Sequence, residues 1–125
     1  MHFHPVSDAV LTRVRRICLA LPETEETPAW TGRFFKIRRR TFAHVFALED
    51  PEGHLIPMLV CTADPGEREV LLRMGHPFFA PRNGAARVGV VLNAATDWRE
   101  IAELLTESFV ILAPKKLGAA CVPPA

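Results

Sequence analysis

Between Phe34 and Cys61, three runs of aromatic, β-branched and aliphatic residues follow one another with only turn-length segments between them. They are Phe34 to Ile37, Thr41 to Leu48 and Leu55 to Cys61, separated by Arg38-Arg39-Arg40 and by Asp50-Pro51-Glu52-Gly53. Strands joined by so few residues cannot be parallel, because a parallel crossover needs a dozen or more. The stretch therefore predicts an antiparallel meander. Asp50 to Gly53 is strong turn chemistry, whereas the arginine segment lacks the Asn-Gly pair that marks a tight hairpin. Pro57 gives the third run an edge or bulge position, since proline has no N–H for a ladder.

Helical patterns flank this meander. After Ser7, a good N-cap, the residues Val10, Leu11, Val14, Ile17, Cys18 and Leu21 recur at helical spacing, with Arg13, Arg15 and Arg16 mostly off the stripe. Pro22 ends that helix, and Glu23 to Gly32 reads as a connecting loop carrying Trp30. Asp64-Pro65-Gly66-Glu67 combines an N-cap, a proline at N1 and an acid at N3, so a short helix runs from Pro65 to about Met74 and stops at Gly75. Phe78 to Phe79 is extended, Pro81 to Ala86 is a loop, and Arg87 to Leu92 is a further strand. Thr96 or Asp97 caps a last helix that buries Trp98, Ile101, Ala102, Leu104, Leu105, Ser108 and Phe109. Val110 to Ala113 fits either a continuation of that helix or a strand, and Pro114 interrupts it.

This order predicts an α+β two-layer sandwich, an antiparallel sheet with helices packed on one face. With 125 residues and 49% hydrophobic content, one domain over residues 1–125 is expected, its core spanning about 7–118 and both ends frayed. No apolar stretch approaches the ~20 residues that span a bilayer. The N-terminus lacks the basic and apolar regions of a signal peptide, so the expectation is a cytoplasmic protein with no membrane partner. Cys18, Cys61 and Cys121 are odd in number and far apart, which fits neither a disulfide framework nor a metal or redox pair. Cys18 and Cys61 read as small core residues.

The sequence contains no phosphate-cradling glycine loop, zinc-protease helix or nucleophile elbow. The expectation is a non-enzymatic protein with no cofactor and no metal site, His2 and His4 offering at most adventitious metal contact. Glu23, Glu25 and Glu26 read as a solvated or helix-end feature. Trp30 and Trp98 read as core anchors.

The strongest chemical signal is Arg33, Lys36, Arg38, Arg39 and Arg40, five cations within eight residues and no acid among them. Alternation on a strand places Lys36 and Arg38 with Phe34 on one face, and Phe35 with Ile37 on the other. Cations around an aromatic ring suit nucleic acid, since guanidinium groups bind phosphates and rings stack on bases. Cations on an edge hairpin also guard against aggregation. Lys115-Lys116 forms a second small basic cluster.

The order Leu21-Pro22-Glu23, Glu25-Glu26, Trp30, Phe35-Lys36-Ile37-Arg38 and Thr41-Phe42-Ala43 resembles the opening of the MmcQ/YjbR family. The strand at Val88 to Leu92, Asp97-Trp98, Ser108-Phe109 and Ala113-Pro114-Lys115-Lys116-Leu117 are similar to that family's close. The resemblance implies a CyaY-like fold and DNA binding of a double-wing type. One wing would be the hairpin bearing Lys36, Arg38, Arg39 and Arg40, and the lysine-rich finish would be Lys115 and Lys116. Where family members often carry a His and a Trp before the strand near position 88, this chain has Gly84 to Arg87. The expected activity is weak binding of duplex DNA without strong sequence preference. The alternative is a protein-interaction or small-anion module using a cleft near Trp30, Phe78, Phe79 and Arg87. One continuous positive face favours the first reading, and cations dispersed or paired with Glu23, Glu25 and Glu26 favour the second.

Overall fold

Ser7, Asp64 and Asp97 start the three longer helices of the computed structural model, which describes residues 6–82 and 84–119. Each accepts backbone N–H groups of the first turn that have no partner within the helix: Val10 on Ser7, Gly66 and Glu67 on Asp64, Arg99 and Glu100 on Asp97. The helices are α1 (Asp8–Cys18), α2 (Pro65–Met74) and α3 (Trp98–Leu112), with a short α4 (Lys115–Ala119) after Pro114. Gly75 ends α2 at φ 74, a backbone conformation that L side chains disfavour. Val110 to Leu112 continue α3, and no strand forms there. His2, His4 and Cys121 lie outside the described residues.

The strands are β1 (Thr24–Pro28), β2 (Arg33–Ile37), β3 (Arg40–Glu49), β4 (Leu55–Thr62), β5 (Phe78–Phe79) and β6 (Arg87–Val91). They form one antiparallel sheet in the order β1-β2-β3-β4-β6-β5. Val45, Leu59, Val90 and Phe78 are successive cross-strand partners and so share a face. That face packs on Leu11, Val14 and Cys18 of α1, Leu71 of α2 and Ile101, Leu104, Leu105 and Phe109 of α3. The helices thus cover one face, as the order of elements predicts, and the chain is an α+β two-layer structure.

Four expectations are corrected. The Glu23 to Gly32 loop contains the edge strand β1, paired only with β2. Its glutamates and proline are poor strand formers, but an edge tolerates both and cross-strand pairing outweighs propensity. Glu26 is not a solvated acid: its side chain is 11% exposed and bridges Arg15 and Arg33. Pro57 lies in a strand flanked on both sides. Its carbonyl accepts Leu92 N at 2.9 Å, just past the end of β6, so its missing N–H removes only the second bond of the last pair. Trp30 is 79% exposed, in the β1–β2 connection, whereas Trp98 packs against the core with the Arg13 guanidinium 5.3 Å from its ring centre.

Between α2 and α3 two carboxyl groups meet. A hydrogen bond with Glu67, then burial and the charges of Glu67 and Asp64, push the Glu107 carboxyl up to about 7. The folded state therefore holds a proton that the unfolded chain, at 4.5, releases earlier. Its stabilising contribution is complete below the unfolded value and is lost as pH rises through the folded one. Melting temperature should fall between pH 5 and 8, and Glu107→Gln should flatten that fall and melt above wild type at pH 8. Parallel melts at the two pH values check this; equal pH profiles would refute it.

Candidate nucleic-acid interface

The hairpin joining β2 and β3 turns in two residues. Ile37 pairs with Arg40, and the residues between them, Arg38 and Arg39, have φ of 45 and 71. Two successive left-handed residues fit the twist of the flanking strands, and Asn-Gly is the usual choice for them. For a residue with a Cβ that region costs roughly 1–2 kcal/mol. The tip therefore holds two arginines where less strained residues were available.

Arg40 extends away from the turn, and its Nη1 donates to the carbonyl of Leu112, the last residue of α3, at 3.4 Å. Arg38, Arg40, Leu112 and Pro114 line a recess of about 180 Å³. Lys115 and Lys116 follow Pro114 and are exposed. Two basic clusters more than seventy residues apart in sequence thus meet at one end of the molecule.

The remaining predicted cations lie elsewhere. Arg33 Nε donates to Glu26 Oε2 at 2.7 Å on the helix-covered face, while Arg15 donates to both Glu26 oxygens at 2.7 and 2.8 Å. The Arg15 and Arg33 bonds hold the Glu26 carboxyl below its ordinary value against the opposing effect of burial. Arg38 Nη2 pairs with Glu23 Oε1 at 3.0 Å, both side chains being about half exposed. Arg33 and Arg38 are thus matched to acids of the β1 region, the pairing expected of the alternative reading, and the basic run forms no single continuous face. Among the described residues, Arg39, Arg40, Lys115 and Lys116 show no ion pair. Lys36 lies on the opposite face from Arg33, with its Nζ 5.5 Å from the centre of the Phe34 ring.

That uncovered face also holds a feature the sequence reading missed. His44 lies between Phe34 and Phe46, with ring centres 4.6 and 4.7 Å away. Its Nε2–H donates to Thr31 O at 2.6 Å. Burial keeps the imidazole below its ordinary value; the Thr31 carbonyl opposes that shift and the Arg87 charge reinforces it. The alternation Phe34, Lys36 and His44, Phe46 was the available signal for this row.

Of the residues of the alternative cleft, Phe79 and Arg87 share the uncovered face on neighbouring strands, and the other two lie elsewhere. Phe78 belongs to the core and Phe79 to the other face, while Trp30 sits beside β1 at the far edge of the sheet from β5. Cys18 and Cys61 are buried, and burial raises both thiols, Cys61 to about 12, so neither supplies a thiolate nucleophile. Asp50, Glu52 and His54 cluster in the β3–β4 turn, where Asp50 Oδ1 accepts the Glu52 and His54 amides.

The YjbR family model matches residues 19–111, from the end of α1 to the last turn of α3. Among solved structures, the chain is similar to the Deinococcus radiodurans protein DR2400, described with the domain DUF419. The TM-score is 0.66 at 24% identity, over 82% of this chain and 77% of that one. That likeness shows a shared fold. No functionally curated protein matches the sequence. With the family model spanning both the sheet and the helix that anchors its basic turn, the chain belongs to the YjbR family.

Proposed function

We propose that the protein is a nucleic-acid-binding domain that grips DNA phosphates through the β2–β3 turn and the adjoining Lys115 and Lys116. The observation that carries this reading is the tip itself: Arg38 and Arg39 stand in left-handed conformations that a binding role for their guanidinium groups would justify. Arg40 donates to the carbonyl of Leu112, three residues before the lysine pair. The resulting patch is local. With 15 basic and 14 acidic residues overall, no general positive field draws in a polyanion, and attraction depends on local groups of cations. Guanidinium and ammonium groups on phosphates position a duplex without reading its sequence. Arg33, spent on Glu26, has no part in the grip.

If Arg38, Arg39, Arg40, Lys115 and Lys116 neutralise about five phosphates, log affinity should fall against log salt with a slope of roughly −4 to −5. The double substitution Arg38→Asn/Arg39→Gly separates binding from folding. It removes two cations and supplies the residues such a turn favours. The slope should become shallower by about 2, while stability stays unchanged or rises by about 1 kcal/mol, relief of the turn outweighing the exposed Arg38–Glu23 pair. Anisotropy titrations of a labelled duplex, with melts of both proteins, read these quantities. Absence of wild-type binding at low salt, or undiminished binding by the variant, would refute the proposal.

A further inference from the structure

The face of the sheet that no helix covers is organised in rows. Strand partners pair Lys36 with Thr41 and Thr62 with Arg87, the two threonines lining one groove, and place Phe34, His44, Val60 and Gly89 in the adjacent cross-strand row. Gly89 leaves its place to the Phe79 ring: a Cβ there would lie 2.2 Å from Phe79 Cζ. Phe79 and His44 flank Val60, which is buried between them. The two pairs therefore carry two cations and two hydroxyls, and the row beside them carries rings. Successive side chains on one face of a strand are about 6.8 Å apart, which separates the pairs from that row by about the distance from a phosphate to the ring of its own base. A shallow groove of about 110 Å³ runs between them, lined by Phe34, Thr41, His44, Val60, Thr62 and Arg87, among others.

Among the described residues neither Lys36 nor Arg87 has an ion pair. The Arg87 backbone is bonded, its carbonyl accepting from Arg68 Nε at 2.7 Å and its N–H donating to Gly84 O at 3.1 Å. The Lys36 ammonium rests over the Phe34 ring, and its flexible stem can carry it to a phosphate while exposing that ring. His44, kept largely neutral by burial, presents an uncharged aromatic surface. One acid, Glu25, stands opposite Lys36 on the outer strand and limits the positive charge on that side.

We infer that this uncovered face binds single-stranded DNA, its phosphates following Lys36, Thr41, Thr62 and Arg87 and its unpaired bases stacking on Phe34, His44 and Phe79. The charge of the two pairs selects a polyanion, and the ring row beside them selects one whose flat faces are free, which a duplex does not offer. The inference rests on the reading of the basic turn as a phosphate grip, because that turn closes the same end of the sheet and adds to its cations. It goes beyond that reading in naming the unpaired strand as the preferred form.

The test compares a labelled oligothymidine with a duplex of equal length, by anisotropy at low salt, for wild type and three variants. Phe34→Leu keeps an apolar side chain while removing the ring; Lys36→Glu/Arg87→Glu reverses the charges without touching the core; Arg38→Asn/Arg39→Gly removes the cations of the turn and, with them, the exposed Arg38–Glu23 pair. Melts of each protein establish folding. Wild type should prefer oligothymidine, and the first two variants should weaken it about five-fold or more, with duplex binding reduced less than oligothymidine binding in each. Oligothymidine binding that both variants retain, or wild-type binding of duplex alone, overturns the inference and leaves the basic turn standing. Oligothymidine binding that both variants weaken, with no duplex binding at all, supports this face and sinks the turn. Binding of neither nucleic acid overturns both.

Discussion

Replacing Phe109 by alanine is expected to destabilise the fold by about 3–5 kcal/mol, a large share of the roughly 5–15 kcal/mol that holds a domain together. Phe109 is fully buried on α3, and its ring meets Phe42 edge to face, with centres 5.6 Å apart and planes at 83°. Phe42 reaches it through a bulge in β3. Phe35 pairs with Ala43, but the next residue, Lys36, pairs with Thr41, leaving Phe42 as the extra residue. Phe42 and Ala43 are consequently both buried, where strict alternation would have turned one outward. Truncating Phe109 empties the space this arrangement fills, and Phe42 cannot follow without disturbing the register of β2 and β3. Urea unfolding with an unchanged m-value would measure the loss as stability alone. A loss below about 1 kcal/mol would mean that the two rings repack freely, contrary to the close-packed interior.

The same bulge shows where sequence patterns stopped being informative. Period-two alternation separates Phe35 and Ile37, which are buried, from Phe34 and Lys36 on the uncovered face, and the capping residues Ser7, Asp64 and Asp97 mark the helix starts. These are local signals that survive tertiary packing. β1 is different: Thr24 to Pro28 has little strand character and becomes a strand because β2 offers it a partner. Glu26 looks solvated in sequence because Arg15 and Arg33, which bind it, lie eleven and seven residues away on other elements. Trp30 looks like a core anchor by size, yet it is exposed in the connection between β1 and β2. The basic run was legible as charge, but not its division between an ion-paired Arg33, a ring-bound Lys36 and a turn of arginines. Nor was the approach of Arg40 to the end of α3, just before Lys115 and Lys116. The rows of the uncovered face needed the register of four strands before cations and rings fell into line.

Ser108 is the residue on which that end of the structure depends most for its polar bonding, and Ser108→Ala should cost about 2–4 kcal/mol. The side chain is fully buried. Its hydroxyl donates to Phe42 O at 2.6 Å and accepts the Thr62 N–H at 2.9 Å. The bulge takes Phe42 out of the paired register with β2, and the Thr62 amide lies at the last residue of β4; one hydroxyl of α3 serves both groups. Alanine would leave a carbonyl and an amide without partners in a site that excludes water, and each such group costs about 1–3 kcal/mol. The Thr62 amide should also lose protection against hydrogen exchange beyond what the fall in global stability explains. One helical turn later Leu112 accepts Arg40, so the same side of α3 holds β3 at the bulge and at the first residue after the turn. Loss of the Ser108 hydroxyl should therefore loosen the seat of the arginine turn as well as the core. The exchange rates of the Arg39 and Arg40 amides in the variant measure that effect, and rates equal to those of wild type would confine the role of Ser108 to the core.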